Sequence, residues 1–188
     1  NNAIHALLEG LGFDATLHAA SMFDVGVNHG TTIVTVDGER WLVDTAVHGD
    51  RPVSIRPEPT SVEHAGFVTT VRPDGDGWMI ECPTPDPDFR IPCRLHDEMD
   101  HTFTLEANEK SRGDSPFNTG VMIGINDATG VWMLKENKLA RIESAGTTST
   151  ELTDAEVDDW AIEVAGHSPQ LVAEVRAVLD FQAESAES

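Results

Sequence analysis

Two side chains able to do acid–base chemistry lie close together in the sequence: His29 and, fifteen residues later, Asp44. An imidazole takes up and releases a proton near neutral pH, and a carboxylate beside it fixes its tautomer and stabilises its charged form. A pair of this kind usually serves a third group, most often a nucleophile. The segment that carries the pair, residues 27–50, therefore raises the question of which residue is the nucleophile.

The same segment has the pattern of a β-hairpin that would bring the pair together. Asp37-Gly38 is a strong two-residue turn, because both positions of a type I′ turn need positive φ. A turn there sets Thr31 opposite Asp44, and alternation along the strands puts His29, Thr31 and Asp44 on one face. His29 and Asp44 become diagonal neighbours, about 7–8 Å apart at the backbone, within reach of an imidazole. On the residues alone, the alternative is a hydrogen-bonded pair with a structural role.

The chain contains two cysteines, Cys82 and Cys93, as candidate nucleophiles. A nucleophilic thiol needs a lowered pKa, usually from a helix N-terminus or an adjacent imidazolium. Cys82 ends a predicted strand and Cys93 lies in an irregular stretch, so we expect both to be ordinary small residues. Two cysteines are too few for a disulfide framework, and no zinc-ligand spacing occurs. We therefore expect no metal site and a cytoplasmic location.

The charge is strongly acidic, with 33 acids against 12 bases and a formal net charge of −21 over 188 residues. One interpretation is a solvated surface that keeps the protein in solution. The other is adaptation to high salt, which screens the repulsion among carboxylates and fits the scarcity of lysine. The sequence has no stripe of basic residues that could contact phosphates, which argues against nucleic acid as a partner. No apolar run approaches the roughly 20 residues that span a bilayer, so we expect no membrane association.

Three zones follow one another along the chain. Residues 1–13 predict a helix with Ile4, Leu7, Leu8 and Leu11 at helical spacing. Its apolar face must pack on a further element, part of which we expect to be missing from this chain.

Residues 14–107 read as antiparallel sheet, and the regular spacing of the strands suggests a small barrel or a curled sheet. Asp-Gly and Pro-rich turns separate the runs. The stretch 82–93 is excluded as a central strand, because three of its first six residues are prolines. The predicted strands are TTIVTV, RWLVDT, GFVTTV, GWMIEC and HTFTLEA.

Residues 108–188 form the third zone, with two strands and two helices after a loop. Thr153 and Glu156 predict a capping box at the start of the first helix. Ser168 predicts the N-cap of the second. In that second helix the residues expected to face inward are Leu171, Val172, Val175, Val178 and Leu179.

Several segments, in this order, resemble the arylamine N-acetyltransferase family. They are LEGLGFDATL near the start, His29 followed by Asp44 in WLVD, SRGDSPFNTGVMIGI, and ELTDAEVDDWAIEVAG. The resemblance covers nearly the whole chain and is clearest over residues 1–50 and 110–166. One departure lies at DTAVHGD, where the family usually has Asp-Val-Gly-Phe-Gly. His48 in this stretch shares the face of His29 and is either a cleft residue or a solvated turn residue.

The resemblance implies an α+β, papain-like (cysteine-proteinase-like) fold: an antiparallel β-barrel at 14–107 followed by an α/β lid at 108–188. Residues 1–13 would be the end of an N-terminal helical domain, most of which the chain lacks. The catalytic cysteine of the family would precede Asn1, so His29 and Asp44 would complete a Cys-His-Asp triad.

The implied reaction is acetyl transfer from acetyl-CoA to an arylamine or hydrazine nitrogen. Ser115 and Phe117 match the segment that lines the family's cofactor cleft; otherwise they form a plain turn. Two other functions stay open. One is amide hydrolysis or cross-linking by a papain-like or transglutaminase-like relative, and the other is a non-catalytic binding module of the same fold.

Overall fold

The computed structural model describes residues 2–23, 26–47, 49–84, 90–99, 105–106, 109 and 120–186, with side chains up to 181. The chain forms two compact units, residues 1–111 and 112–188. The three-zone division made from the sequence stays a prediction.

The first unit is built on an eight-stranded antiparallel sheet that curls into a nearly closed barrel, as the sequence predicts. Its order across the sheet is β4-β3-β2-β1-β8-β7-β6-β5. The two edge strands approach each other, and the Thr60 hydroxyl of β5 donates a hydrogen bond to the Ser54 carbonyl of β4. A sheet that curls towards closure exposes fewer unpaired backbone groups at its edges than an open sheet. The strands are β1 (Asp14–Met22), β2 (His29–Val36), β3 (Glu39–Val43), β4 (Val53–Ile55), β5 (Thr60–His64), β6 (Phe67–Asp74), β7 (Gly77–Pro83) and β8 (Arg90–Glu98).

The β2–β3 hairpin has the predicted turn and register. Asp37 has φ 52° and Gly38 has φ 80°, the positive values that a type I′ turn requires. Val36 pairs with Glu39, and the ladder runs outward as far as the pair Thr32 and Val43. Local turn chemistry therefore sets the register on which the neighbouring side chains depend.

Apolar side chains from all around the sheet fill the barrel interior. On β2 and β3 the inward residues are Ile33 and Leu42, which lie opposite each other. Outward residues alternate with them, so each strand has a core face and an outer face. The buried core comprises Ala20, Ile33, Leu42, Val47, Val53, Ile55, Val71, Ile80, Cys82, Cys93 and Leu95.

The first helix, α1 (Asn2–Gly10), packs against β1 and β2. It ends in a left-handed Gly12 with φ 86°, and the Phe13 N–H donates to the Leu8 carbonyl. Leu8 is half-buried, whereas Leu7 and Leu11 are exposed. The apolar stripe predicted here is thus covered on one side only within the described part of the chain.

The second unit contains a four-stranded antiparallel meander, β9 (Met122–Asn126), β10 (Gly130–Lys135), β11 (Lys138–Glu143) and β12 (Gly146–Glu151). Two helices follow, α2 (Asp154–Glu163) and α3 (Pro169–Ala186). The predicted capping box of α2 is present: Glu156 N–H donates to the Thr153 hydroxyl, and Thr153 N–H donates to the Glu156 carboxylate.

The predicted inward face of α3 is correct at two of its five positions and wrong at the other three. Leu171, Val175 and Val178 are exposed, whereas Val172, Arg176 and Leu179 are half-buried. Arg176 donates to Asp158 of α2 at 2.6 Å, so the half-buried side of α3 includes a charged contact between the two helices.

Two strand predictions also need correction. Residues 90–93, the last four of the proline-rich stretch, begin β8 (Arg90–Glu98), which lies between β1 and β7. Pro92 lacks the N–H that would face the very end of β1, so only one ladder bond is lost there, and the strand tolerates it. The Pro92 carbonyl on the same side still accepts from the Phe23 N–H at 3.1 Å. In the predicted strand HTFTLEA, the described residues Leu105 and Glu106 are helical, as their high helix propensity favours.

Candidate active site

His29 and Asp44 form a hydrogen-bonded pair at one end of the barrel. His29 begins β2, Asp44 directly follows β3, and His29 Nε2 lies 2.7 Å from Asp44 Oδ2. Because a carboxylate only accepts, the ring nitrogen Nε2 is the donor. The side chains are 13% and 2% exposed respectively. A carboxylate buried this deeply needs such partners, because burying an unpaired charge is costly.

Asn28 holds the start of β2 in place beside the pair. Its side-chain amide donates to the Met22 carbonyl at 3.1 Å, and its side-chain oxygen accepts from the Met22 N–H at 2.8 Å. Its own backbone N–H donates to Ala20. These bonds anchor the backbone of His29 to the end of β1. The sequence analysis missed Asn28, because its partner Met22 lies six residues away and is brought beside it only by the pairing of β1 and β2.

A tight turn after β3 orients Asp44. Its Oδ1 accepts from the Ala46 N–H at 2.9 Å, an Asx-type turn, and its carbonyl accepts from the Val47 N–H at 3.3 Å. Val47 is buried in the barrel core, which pins the turn to the rest of the unit. Both carboxylate oxygens are thus held, one by the imidazole and one by the backbone.

Cys82 and Cys93 are free, buried thiols on β7 and β8. Burial and the negative charge of Asp44 raise the pKa of Cys93 to about 12. Burial, followed by the influence of Cys93 and Asp44, raises the pKa of Cys82 even further above its usual range. Both thiols are protonated at neutral pH and lack the thiolate character that a nucleophile needs.

Comparison with family models gives a match over most of the chain. Residues 1–164 match the family model described as N-acetyltransferase. The chain belongs to the arylamine N-acetyltransferase family. No curated protein sequence matches the chain significantly.

Solved arylamine N-acetyltransferases share the fold, with the papain-like arrangement expected from the sequence. The Mycobacterium marinum enzyme aligns at a TM-score of 0.79 and 19% identity, covering 96% of this chain and 73% of its own. Its complex with CoA aligns at 0.76 and 20% identity, with the same coverage. The Bacillus cereus NAT3 enzyme, which has a Cys-His-Glu catalytic triad, aligns at 0.70 and 18% identity, covering 87% of this chain and 69% of its own. At these identities the likeness shows the fold alone.

Other predicted site residues of this arylamine N-acetyltransferase family member lie outside the described residues. They are Ser115 and Phe117, predicted to line the cofactor cleft, and His48 in the turn after Asp44. Asn1 lies outside them as well.

Among the described residues, no three His, Cys, Asp or Glu side chains lie close enough together to hold a metal ion. In the same part of the chain, none of the helices combines the length and the apolar character needed to cross a bilayer.

Proposed function

We propose that this chain supplies the histidine and the aspartate of a Cys-His-Asp triad that transfers an acetyl group from acetyl-CoA to an arylamine or hydrazine nitrogen. The observation that carries the proposal is the buried hydrogen bond of 2.7 Å between His29 Nε2 and Asp44 Oδ2. Family membership supports the reaction class, and the CoA complex of the Mycobacterium marinum relative supports the acyl donor.

The hydrogen bond has a direct chemical consequence for the imidazole. With the proton held on Nε2, a neutral His29 ring carries its lone pair on Nδ1, which can take a proton from a thiol. Asp44 then stabilises the imidazolium that forms, because its charge lies against the ring in a water-poor site.

We place the thiol in sequence that precedes residue 1, in a helical segment that packs on this chain. The reason lies in the two cysteines of the chain, since burial keeps both Cys82 and Cys93 protonated. Neither Cys82 nor Cys93 is therefore assigned to the triad.

Acyl transfer proceeds in two balanced steps. The thiolate attacks the thioester carbonyl of acetyl-CoA, the bond from carbon to the CoA sulfur breaks, and the CoA thiolate leaves with the proton from His29. The uncharged amine nitrogen then attacks the acetyl-enzyme, a carbon–nitrogen bond forms, and the cysteine thiolate is released while His29 accepts the amine proton. Ser115 and Phe117 are proposed to line the cleft that receives acetyl-CoA.

The test is trapping of the acetyl-enzyme in protein that includes the preceding segment, using radiolabelled acetyl-CoA without acceptor. Label should remain bound to the protein after denaturation and should leave as acetylated arylamine when an arylamine is added. The His29→Ala variant should bind no label covalently, whereas His5→Ala, on α1, should behave as wild type. Hydrolysis of a simple amide without acetyl-CoA dependence would point to a papain-like hydrolase, and no covalent label in wild type would indicate a binding module.

A further inference from the structure

Two neighbouring threonines of β2, Thr31 and Thr32, are both completely buried. The hydroxyl oxygens of both lack a hydrogen-bond partner in the described part of the chain. A buried hydroxyl of this kind is unusual, because native proteins pair such groups with protein atoms or with ordered water. The two residues point to opposite faces of the same strand, so they face different surroundings.

The face of Thr31 is the barrel interior. Two residues further along the strand, Ile33 belongs to the barrel core, and two residues earlier lies His29. The ladder between β2 and β3 ends at the pair Thr32 and Val43, so its next position sets Thr31 opposite Asp44.

On the other side of β2, Thr31 pairs directly with His18 of β1. The His18 ring is already held, because Nε2 lies 3.0 Å from the Thr16 hydroxyl and Nδ1 lies 3.0 Å from the His96 carbonyl. With both ring nitrogens engaged, His18 has no further site for the Thr31 hydroxyl. Asp44, the neighbour on the β3 side, therefore remains as the group to which the Thr31 hydroxyl can be linked.

The charge of Asp44 faces this same interior. Burial raises the pKa of the core residues Cys82 and Cys93, and the negative charge of Asp44 adds to the increase at both thiols. An ionised carboxylate can accept about four hydrogen bonds. Each carboxylate oxygen has two lone pairs, so the bond from His29 to one oxygen and the bond from the Ala46 N–H to the other do not by themselves fill either oxygen.

We propose that Thr31 is a positioning residue for the His29–Asp44 pair. Its hydroxyl donates to one buried water, which in turn donates to the Asp44 carboxylate and fixes it in the orientation that receives His29 Nε2. The consequence for turnover rests on the proposed acetyl transfer, whereas the consequence for the hydrogen bond itself does not.

The test compares Thr31→Val, which removes the hydroxyl and keeps the branched shape, with Thr31→Ser, which keeps the hydroxyl. Thr32→Val is the matched control, since Thr32 is equally buried on the opposite face. The readout is the ring nitrogen resonances of His29 in nitrogen-labelled 188-residue protein, identified by their loss in His29→Ala. Thr31→Val should move these resonances, while Thr31→Ser and Thr32→Val should leave them at their wild-type positions.

Unmoved resonances in Thr31→Val, or an equal change in Thr32→Val, would overturn the proposal. If Thr31→Val fails to fold, Thr31→Ala is compared with Thr31→Ser in the same way. In protein with the preceding segment, Thr31→Val should lower kcat about tenfold at unchanged KM, the size expected for one hydrogen bond to a charged group. Moved resonances in a protein that transfers no acetyl group would leave the positioning role standing and reject the proposed function.

Discussion

The imidazole of His29 and the carboxylate of Asp44 are in hydrogen-bond contact at 2.7 Å because a two-residue turn folds the chain between them back on itself. The turn at Asp37-Gly38 lies midway between the two residues, so the register carries His29 and Asp44 to the same end of the hairpin. A side-chain pair placed at the ends of two adjacent strands gains rigidity from the sheet, which favours reproducible geometry.

Removing either member of the pair should disable the proposed chemistry. In protein with the preceding segment, we expect His29→Ala to abolish acetyl-enzyme formation, because the thiol loses its base. Asp44→Asn should lower kcat by about 10⁴-fold, the loss seen when an amide favours the wrong tautomer of a catalytic histidine. The measurement is steady-state arylamine acetylation, with Asp76→Asn in the β6–β7 turn as control. Near-normal turnover in either variant would show the triad assignment to be wrong.

The two buried thiols should make the fold sensitive to alkali. Burial raises the pKa of Cys93 from 9.0 to about 12, so the folded state holds this proton more tightly than the unfolded chain does. The free energy of unfolding therefore keeps its full value below pH 9. It falls as the pH rises towards 12, because the unfolded chain releases the Cys93 proton in this range and the folded protein does not. Urea unfolding across that window should show a falling free energy of unfolding, with a shallower fall in the Cys82→Ala/Cys93→Ala double variant.

Thiolate formation can be followed directly in the same titration. The chain has no tyrosine, so tyrosinate does not obscure the ultraviolet absorbance of the thiolate. The double alanine variant should also acetylate arylamine at nearly the wild-type rate. Thiolate absorbance in the native protein near pH 9, or loss of turnover in the variant, would contradict this assignment.

The solvent-facing side of α1 should bind a hydrophobic dye. Leu7 and Leu11 are 55% and 65% exposed and lie four residues apart on one side of the helix end. Adjacent apolar side chains exposed in this way form a patch that such dyes recognise. We expect the 188-residue chain to enhance dye fluorescence and the Leu7→Gln/Leu11→Gln variant to enhance it much less. Glu9→Gln, on the same helix, is the control, and a wild-type chain that leaves the dye dark would refute the expectation.

Salt should improve both stability and the binding of acetyl-CoA. At a net charge of −21 the protein repels itself and the phosphates of coenzyme A over about 30 Å at 0.01 M salt, and over only about 3 Å at 1 M. The melting temperature and the apparent affinity for acetyl-CoA should therefore both rise with salt, whereas KM for a neutral arylamine should change little. A melting temperature that does not change with salt, together with weaker acetyl-CoA binding at high salt, would contradict the high-salt interpretation. The acidic surface would then serve only to keep the protein in solution.

The sequence alone determined the features that depend on neighbouring residues. The turn at Asp37-Gly38 sets the hairpin register by backbone conformation, and the capping box of Thr153 and Glu156 forms within one helical turn, so both are legible without a fold. The order of the family's segments was likewise readable along the chain, and the match over residues 1–164 confirms the family.

The tertiary structure decided everything that depends on what lies across from a residue. Pro92 lies in an internal strand at the point where β1 ends beside it, and the half-buried side of α3 includes Arg176, which donates to Asp158 of α2. The nearly closed barrel shields its interior from bulk solvent, so the thiols of Cys82 and Cys93 stay protonated at neutral pH and the hydroxyl of Thr31 is enclosed. Burial and desolvation arise only when distant strands meet, and no local pattern in the sequence encodes them.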